Sequence, residues 1–230
     1  TILSESKAIS KLSELLTNDL ADCVCLIYES KGRLIVTGIG KSAIIAQKIV
    51  ATLNSTGTPA LFMHAADAIH GDLGMVQEDD IVLLISKSGE SPEIKNLVQL
   101  VNSFGNSIIA MVGNTESYLA SHAKWVINTT VEKEACAHNL APTSSTTAQM
   151  AMGDAMAICL MELKKVKASD FAKFHPGGNL GKRLTLTTGQ MAQVNPKPSV
   201  HTSTPLKEVI LVISKNRLGA AVVIDENEKV

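Results

Sequence analysis

The chain has 230 residues and a mass of 24.4 kDa, enough for one domain of ordinary size and part of a second. Hydrophobic residues make up 45% and charged residues 19%, which is typical of a packed globular protein and argues against a disordered one. The formal charge of −1 and the aromatic content of 3% disfavour nucleic acids and anionic membranes as ligands, because these need basic patches or stacking rings.

The cysteine and targeting patterns predict a cytoplasmic protein. The four cysteines form no C-x-x-C pair and no disulfide framework, and no signal segment is evident at the N-terminus. The longest apolar runs are far shorter than the roughly 20 residues that span a bilayer.

The predicted elements alternate along most of the chain. Apolar residues at helical spacing between positions 2 and 28 predict an opening helix or helix pair. Short apolar runs then predict strands, and periodic segments between them predict helices. The strands are expected at residues 33–37, 60–63, 80–86, 107–112 and 125–128, and the helices at 44–53, 92–104, 116–122 and 145–166.

The strand segments are apolar throughout, which indicates a mostly parallel sheet covered by helices on both faces. Ligands of such α/β proteins bind at the carboxyl ends of the strands. The loops that follow Thr37, Ile85 and Asn128 are therefore the ones most informative about the ligand site.

The C-terminal part has a different character. Residues 171–184 contain the turn sequence His175-Pro-Gly-Gly178 and the basic pair Lys182-Arg183. Residues 185–198 are rich in Thr, Gly and Pro and are predicted to be a linker. A helix at 206–215 and a strand at 220–224 follow, and this tail is too short to form its own core.

The first strand ends in Gly38-Ile-Gly-Lys-Ser42, which shares features with the P-loop and with the dinucleotide-binding fingerprint. A P-loop would need glycine at position 35, where the chain has Ile35. Gly38, Gly40 and Ala43 formally meet the dinucleotide fingerprint, but no acid ends the next strand, which disfavours NAD. The remaining interpretation is a glycine turn that presents amides, Lys41 and Ser42 to an anion at a helix N-terminus.

The third strand is followed by a loop rich in hydroxyl groups. Ser86, Ser88 and Ser91 surround Gly89, and Pro92 begins the next helix. Any one of these serines is an ordinary helix cap. Three hydroxyls beside a glycine and a helix N-terminus predict a phosphate cradle that needs no net positive charge.

This serine loop, together with Pro142-Thr-Ser-Ser-Thr-Thr147, resembles the sugar isomerase (SIS) superfamily. More narrowly, the chain is similar to the arabinose 5-phosphate isomerase family from about residue 4 to 184. The motifs that carry the resemblance, in chain order, are Gly38–Ser42, Ser55–Pro59, His70–Met75, Ser86–Glu93, Lys133–Cys136, Leu140–Thr147, Met152–Asp154 and His175–Gly178.

The resemblance implies an α/β fold, a SIS-type three-layer sandwich over residues 1–184, and a linker with a truncated first cystathionine-β-synthase (CBS) module over 185–230. It also implies functional residues at matching positions. The implied catalytic residues are Lys41, Glu93, Glu134 and His175. The implied substrate-binding residues are Gly40, Ser42, Gly57, Thr58, His70, Ser86, Ser88, Gly89, Ser91, Thr143 and Ser144.

The implied reaction interconverts D-arabinose 5-phosphate and D-ribulose 5-phosphate through an enediolate, which supplies Kdo for lipopolysaccharide or capsule. Such chemistry needs a base, an acid near the carbonyl oxygen and groups that hold an open-chain phosphosugar. We expect Glu134, with a raised pKa, to shuttle the proton, and His175 to open the ring. Glu93 either orients Lys41 or serves as a second acid or base.

The expected assembly is a homotetramer in which His175 enters the site of a neighbouring subunit. No cofactor is required, although His64 matches a metal-binding histidine where zinc would be structural or inhibitory. The CBS segment suggests a nucleotide or a pathway end product as a regulatory ligand. The alternatives are an isomerase of another sugar phosphate and a non-catalytic phosphosugar sensor.

Overall fold

The computed structural model describes residues 1–177, 181, 186–194 and 196–230. These residues form two compact units, Thr1–His175 and Pro176–Val230. The predicted boundary between Leu184 and Thr185 lies outside the described residues, as do Gly178 and the predicted basic pair Lys182-Arg183. No helix within the described ranges is long and apolar enough to cross a bilayer.

The first unit is built on a five-stranded sheet in which every neighbouring pair of strands is parallel. The strand order is β2-β1-β3-β4-β5. The strands are β1 Leu34–Gly38, β2 Ala60–His64, β3 Ile81–Ser86, β4 Ser107–Val112 and β5 Trp125–Asn128.

Helices cover both faces of this sheet, so the predicted three-layer α/β sandwich is confirmed. One face carries α1 Ile2–Leu12, α2 Asn18–Glu29, α3 Lys41–Ser55 and α7 Ser144–Leu163. The other carries α4 Ala65–Ala68, α5 Pro92–Phe104 and α6 Tyr118–His122. A 3₁₀ turn at Asp72–Met75 and the helix α8 Ala168–Phe174 complete the unit.

The central strand β3 is buried at every position because both of its faces contact helices. Leu83 and Ile85 belong to the core under α3 and α7, whereas Val82 and Leu84 belong to the core under α5. Alternate residues of a strand point to opposite faces, so a strand covered on both sides must be apolar throughout.

The second unit pairs β6 Ser199–His201 in parallel with β7 Val222–Ile224. It also contains α9 Thr188–Val194 and α10 Leu206–Asn216. The prediction of a linker over 185–198 was wrong where α9 forms. Thr187 and Gln190 make reciprocal bonds, from Thr187 N–H to Gln190 Oε1 at 2.9 Å and from Gln190 N–H to Thr187 Oγ1 at 3.2 Å, which is a capping box.

Candidate active site

A cleft of about 280 Å³ lies at the carboxyl ends of the central strands. It opens between the loop after β1, the loop after β3 and the start of α7, because the carboxyl ends of parallel strands meet at one edge of the sheet. Its lining is formed by Ile39, Lys41, Ser42, Ser86, Lys87, Ser88, Ser91, Pro142, Ser145 and Thr146.

The loop after β3 is fixed by bonds to its own serines and to α6. Ser86 Oγ accepts from the Gly89 N–H at 3.0 Å, and Leu119 N–H donates to the Gly89 carbonyl at 3.1 Å. Gly89 has φ +67°, and a Cβ placed there would lie 2.2 Å from Ser117 Oγ. Because only glycine tolerates both the left-handed backbone and this close approach, Gly89 sets the shape of the loop.

Two helices begin at this edge with hydroxyls that have no partner in the described structure. Ser91 precedes α5 and Ser144 is the first residue of α7, and the Oγ of each is buried without a hydrogen bond. An unpaired buried hydroxyl costs stability unless a ligand completes it. Both hydroxyls therefore suit an anion bound at the N-termini of these helices.

Glu134 is fully buried, and its two carboxylate oxygens accept five hydrogen bonds. Lys87 Nζ and Ser145 Oγ donate to Oε1, the former at 2.7 Å. Oε2 accepts from the Thr143 N–H at 2.8 Å, from Thr143 Oγ1 at 3.2 Å and from the Ser145 N–H at 3.2 Å. The carboxylate thus ties the loop after β5 to the start of α7 and to the loop after β3.

The expectation of a raised pKa for Glu134 was wrong in direction. Burial by itself raises this pKa, but the hydrogen bonds from Lys87, Ser145 and Thr143 outweigh burial and lower it to about 2. Hydrogen bonds to the charged form of a carboxyl favour ionisation. Glu134 is therefore a firmly ionised carboxylate with its lone pairs already in use.

The other predicted residues at this edge are more open. Lys41 begins α3 after the N-cap Gly40, is exposed, and forms no ion pair within the described chain. Ser42 Oγ donates to Gln149 Oε1 at 3.3 Å, which joins α3 to α7. Glu93 lies in the first turn of α5, is half-buried, and has no side-chain partner among the residues that the structure describes.

Three residues of the site were not predicted from the sequence: Lys87, Ser145 and Gln149. Lys87 and Ser145 line the cleft and bind Glu134 directly, and Gln149 orients Ser42. Lys87 and Ser145 belong to the two hydroxyl-rich motifs, so the sequence did predict that they lie near the site. The sequence did not predict that they pair with a carboxylate 47 and 11 residues away.

Gly57, Thr58 and His175 lie at the opposite end of the sheet. Gly57 and Thr58 connect α3 to the start of β2, where Lys164 Nζ donates to the Gly57 carbonyl at 3.2 Å and to Thr58 Oγ1 at 2.9 Å. The ring of Phe174, one residue before His175, packs against Gly57. A five-residue strand spans about 16 Å, so these residues do not join the cleft of their own chain.

The ring of His175 is held in one orientation. It stacks on Phe171 with 4.1 Å between ring centroids, and Nδ1 lies 3.0 Å from the Phe171 carbonyl. A carbonyl oxygen only accepts, so Nδ1 carries the proton in this bond. Nε2 is then the nitrogen that remains for another group.

The predicted metal ligand His64 ends β2, beside Gly38 of β1. Its Nδ1 lies 3.5 Å from Asp67 Oδ2, and His70 is exposed on the segment after α4. The described part of the chain contains no group of three or more His, Cys, Asp or Glu that could hold a metal. One histidine and one carboxylate fall short of the four ligands of a structural zinc site, so no step of the chemistry is assigned to a metal.

Comparison with known proteins places this geometry in context. The SIS domain family matches residues 26–159. The chain is 44% identical over its full length to the arabinose 5-phosphate isomerase KdsD of Pseudomonas aeruginosa, of which it covers 71%. It is 43% identical over 98% of its length to the arabinose 5-phosphate isomerase KpsF of Escherichia coli strain CFT073, of which it covers 69%.

A solved structure from Escherichia coli CFT073, in complex with arabinose 5-phosphate, superposes with a TM-score of 0.74 and 39% identity. That match covers 76% of this chain and 93% of the other. The chain spans about two thirds of the length of its curated relatives, including 66% of a 44% identical protein from Haemophilus influenzae.

Proposed function

Because the chain belongs to the SIS domain family and groups with its arabinose 5-phosphate isomerases, we propose that it interconverts D-arabinose 5-phosphate and D-ribulose 5-phosphate. The single observation that carries this proposal is the cleft at the strand ends, where serine hydroxyls meet the ammonium group of Lys41, which has no ion pair among the described residues. Phosphate is a strong acceptor that helix N-termini and hydroxyls bind without a large positive field.

The unpartnered hydroxyls support a phosphosugar as the ligand. At two helix starts, Ser91 and Ser144 have buried Oγ atoms without a partner among the described residues, and Ser88 and Ser91 line the cleft. The ammonium group of Lys41 faces this region from the start of α3 and would offset the phosphate charge or a developing oxyanion. We propose that Gly40, Ser42, Ser86, Ser88, Gly89, Ser91, Thr143 and Ser144 form the substrate-binding edge.

The two carboxylates of the site suit different tasks. Glu134 is occupied by five hydrogen bonds, and its lowered pKa makes it a weak base. Glu93 has no side-chain partner in the described structure and lies in the first turn of α5, two residues after Ser91. We propose that Glu93 moves the proton between the two sugar carbons and that Glu134 holds the loop that shapes the cleft.

The separation of the site residues supports a shared site. His175, Gly57 and Thr58 lie a strand length away from Lys41 within one chain, so they reach a cleft only if it belongs to another copy. We propose a homotetramer in which His175 of one subunit delivers a proton to the sugar in a neighbour.

This arrangement is tested by mixing two inactive variants, Lys41→Ala and His175→Ala. Mixed oligomers contain some clefts with an intact Lys41 from one subunit and an intact His175 from another, so activity should return to about one quarter for a site shared by two subunits. Mixed oligomers that stay inactive would place both residues in a single subunit.

The reaction is tested by incubating the purified chain with arabinose 5-phosphate, ribulose 5-phosphate and a panel of other sugar phosphates. Interconversion of the first two alone supports the proposal. Turnover of another pair would assign a different isomerase, and tight binding of a phosphosugar without turnover would indicate a sensor.

The cellular context follows from the substrate. We propose a cytoplasmic enzyme whose arabinose 5-phosphate supplies Kdo for surface polysaccharide. We also propose that the segment from residue 185 is part of a CBS module that binds a nucleotide or a pathway end product. Ligand binding measured by calorimetry with the full chain tests this second site.

A further inference from the structure

Lys87 lies at the boundary between the buried carboxylate and the open cleft. Its side chain is 47% exposed, whereas the side chain of Glu134 is completely buried. Nζ lies 2.7 Å from Glu134 Oε1, and Lys87 is also part of the cleft wall. The ammonium group therefore faces a negative charge on one side and the ligand space on the other.

Lys87 is the cation that balances Glu134. Among the described residues, the other groups bonded to the carboxylate are the neutral amides and hydroxyls of Thr143 and Ser145. Neutral donors stabilise a buried carboxylate but leave its net charge in place. Without Lys87, one full negative charge would remain behind the wall of the cleft.

That charge matters because of the ligand class proposed above. A phosphate monoester carries a charge of about −1.5 to −2 at neutral pH. Ser145 both lines the cleft and donates to Glu134, so the carboxylate is separated from the ligand space by one side chain. Like charges this close in a partly buried site oppose binding.

We propose that Lys87 is a positioning residue that neutralises the buried Glu134 carboxylate and thereby makes the cleft compatible with a phosphate dianion. Lys87 acts through Glu134. Lys41, in contrast, is unpaired among the described residues and contacts the ligand directly. This inference rests on the proposed phosphosugar function and deepens it.

The other charged groups near Glu134 are few. Lys41 also lines the cleft, and the loop that carries Glu134 contains further titratable side chains. The titratable groups of that loop are Glu132, Lys133, Cys136 and His138. Glu132 is paired with Lys7 at the surface, 3.0 Å from its Nζ.

The test is the dissociation constant of arabinose 5-phosphate, measured by calorimetry on the full chain at about pH 6 and about pH 8. The variants are Lys87→Met, Lys87→Arg, Glu134→Gln and the double variant Lys87→Met with Glu134→Gln. Lys95→Met is the matched control, because Lys95 forms an ion pair of the same length with Glu90 outside the cleft.

We expect Lys87→Met to weaken binding about tenfold or more at the higher pH. The loss should be smaller at the lower pH, because the pKa of Glu134 rises without its cation and the carboxyl becomes protonated more easily. Lys87→Arg should bind within about threefold of the natural chain, since it keeps the charge. In the Glu134→Gln background, Lys87→Met should change binding by less than about threefold.

An equal loss in the Glu134→Gln background would overturn the inference, since Lys87 would then contact the ligand itself. An equal loss in Lys95→Met would also overturn it, because any lost positive charge would suffice. If circular dichroism shows that Lys87→Met does not fold, the same measurements are made with Lys87→Gln, which also removes the charge. If the natural chain neither binds nor converts the sugar, the proposed function is refuted. If the natural chain binds the sugar and Lys87→Met binds it equally well, this inference alone is refuted.

Discussion

The ionised state of Glu134 predicts a specific pH dependence of stability. Its pKa is lowered from 4.5 to about 2 in the folded chain, which corresponds to about 3 kcal/mol of stabilisation at neutral pH, at about 1.4 kcal/mol per unit. Because the folded pKa is the lower one, this stabilisation is present above about pH 4.5 and is lost as the pH falls towards 2.

The perturbation is Glu134→Gln, which keeps the shape of the side chain and removes the charge. We expect the free energy of unfolding to fall by about 2 to 3 kcal/mol at pH 7, and the difference from the natural chain to shrink to roughly half by pH 3. Urea unfolding followed by the fluorescence of Trp125, the single tryptophan, reports on the first unit.

The matched control is Glu132→Gln. Glu132 belongs to the same loop, but its ion pair with Lys7 is 3.0 Å long between side chains that are 62% and 73% exposed. We expect no measurable change in the free energy of unfolding for this variant at either pH, because exposed ion pairs contribute little. A Glu134→Gln variant as stable as the natural chain at pH 7, or a difference that is the same at pH 3 and pH 7, would refute the assigned charge state.

Three further variants separate loop shape, ligand binding and structural support. Gly89→Ala should lower phosphosugar affinity about tenfold or more, measured by calorimetry, because its φ is +67° and its Cβ would lie 2.2 Å from Ser117 Oγ. Ser144→Ala should weaken phosphosugar binding about tenfold while leaving the unfolding midpoint unchanged or higher, because its buried Oγ has no partner in the described structure; a lower midpoint with unchanged binding would contradict this. Asp80→Asn should cost about 3 kcal/mol in urea unfolding without a direct effect on the cleft, because Asp80 is 2% exposed and accepts from the Arg33 side chain at 2.7 and 3.2 Å.

The sheet was predictable because its local and long-range requirements agree. A buried parallel strand must be apolar on both faces, and the sequences of β3 and β4 are largely continuous apolar runs. Short elements were missed for the opposite reason, since α4 and β6 have four and three residues and offer no period to detect. The helix α9 did carry a signal, the Thr187 and Gln190 capping box, inside a segment whose composition favours a linker.

The loops of the candidate site were predictable, but the state of its groups was not. Fold class and loop position follow from strand order, which places the serines and Lys41 at one edge. The pKa of Glu134 depends instead on Lys87, Thr143 and Ser145, which meet it only in the folded chain. A carboxylate after a strand is raised or lowered in pKa according to such partners, so sequence position alone could not decide the direction.

The placement of His175 shows the same limit at a larger scale. His175 follows α8 directly in the chain, and in the folded protein it lies at the end of the sheet away from Lys41. Its ring is already oriented by Phe171, with Nε2 left for another group. This fixed ring, a strand length from the cleft of its own chain, is the reason for the proposal that His175 acts in another copy. The described lining of the cleft includes Ser91, whose buried Oγ has no partner among the described residues, and it includes no histidine. Under the proposed assembly, each end of the sheet contributes half of a site, and a second copy of the same chain completes it.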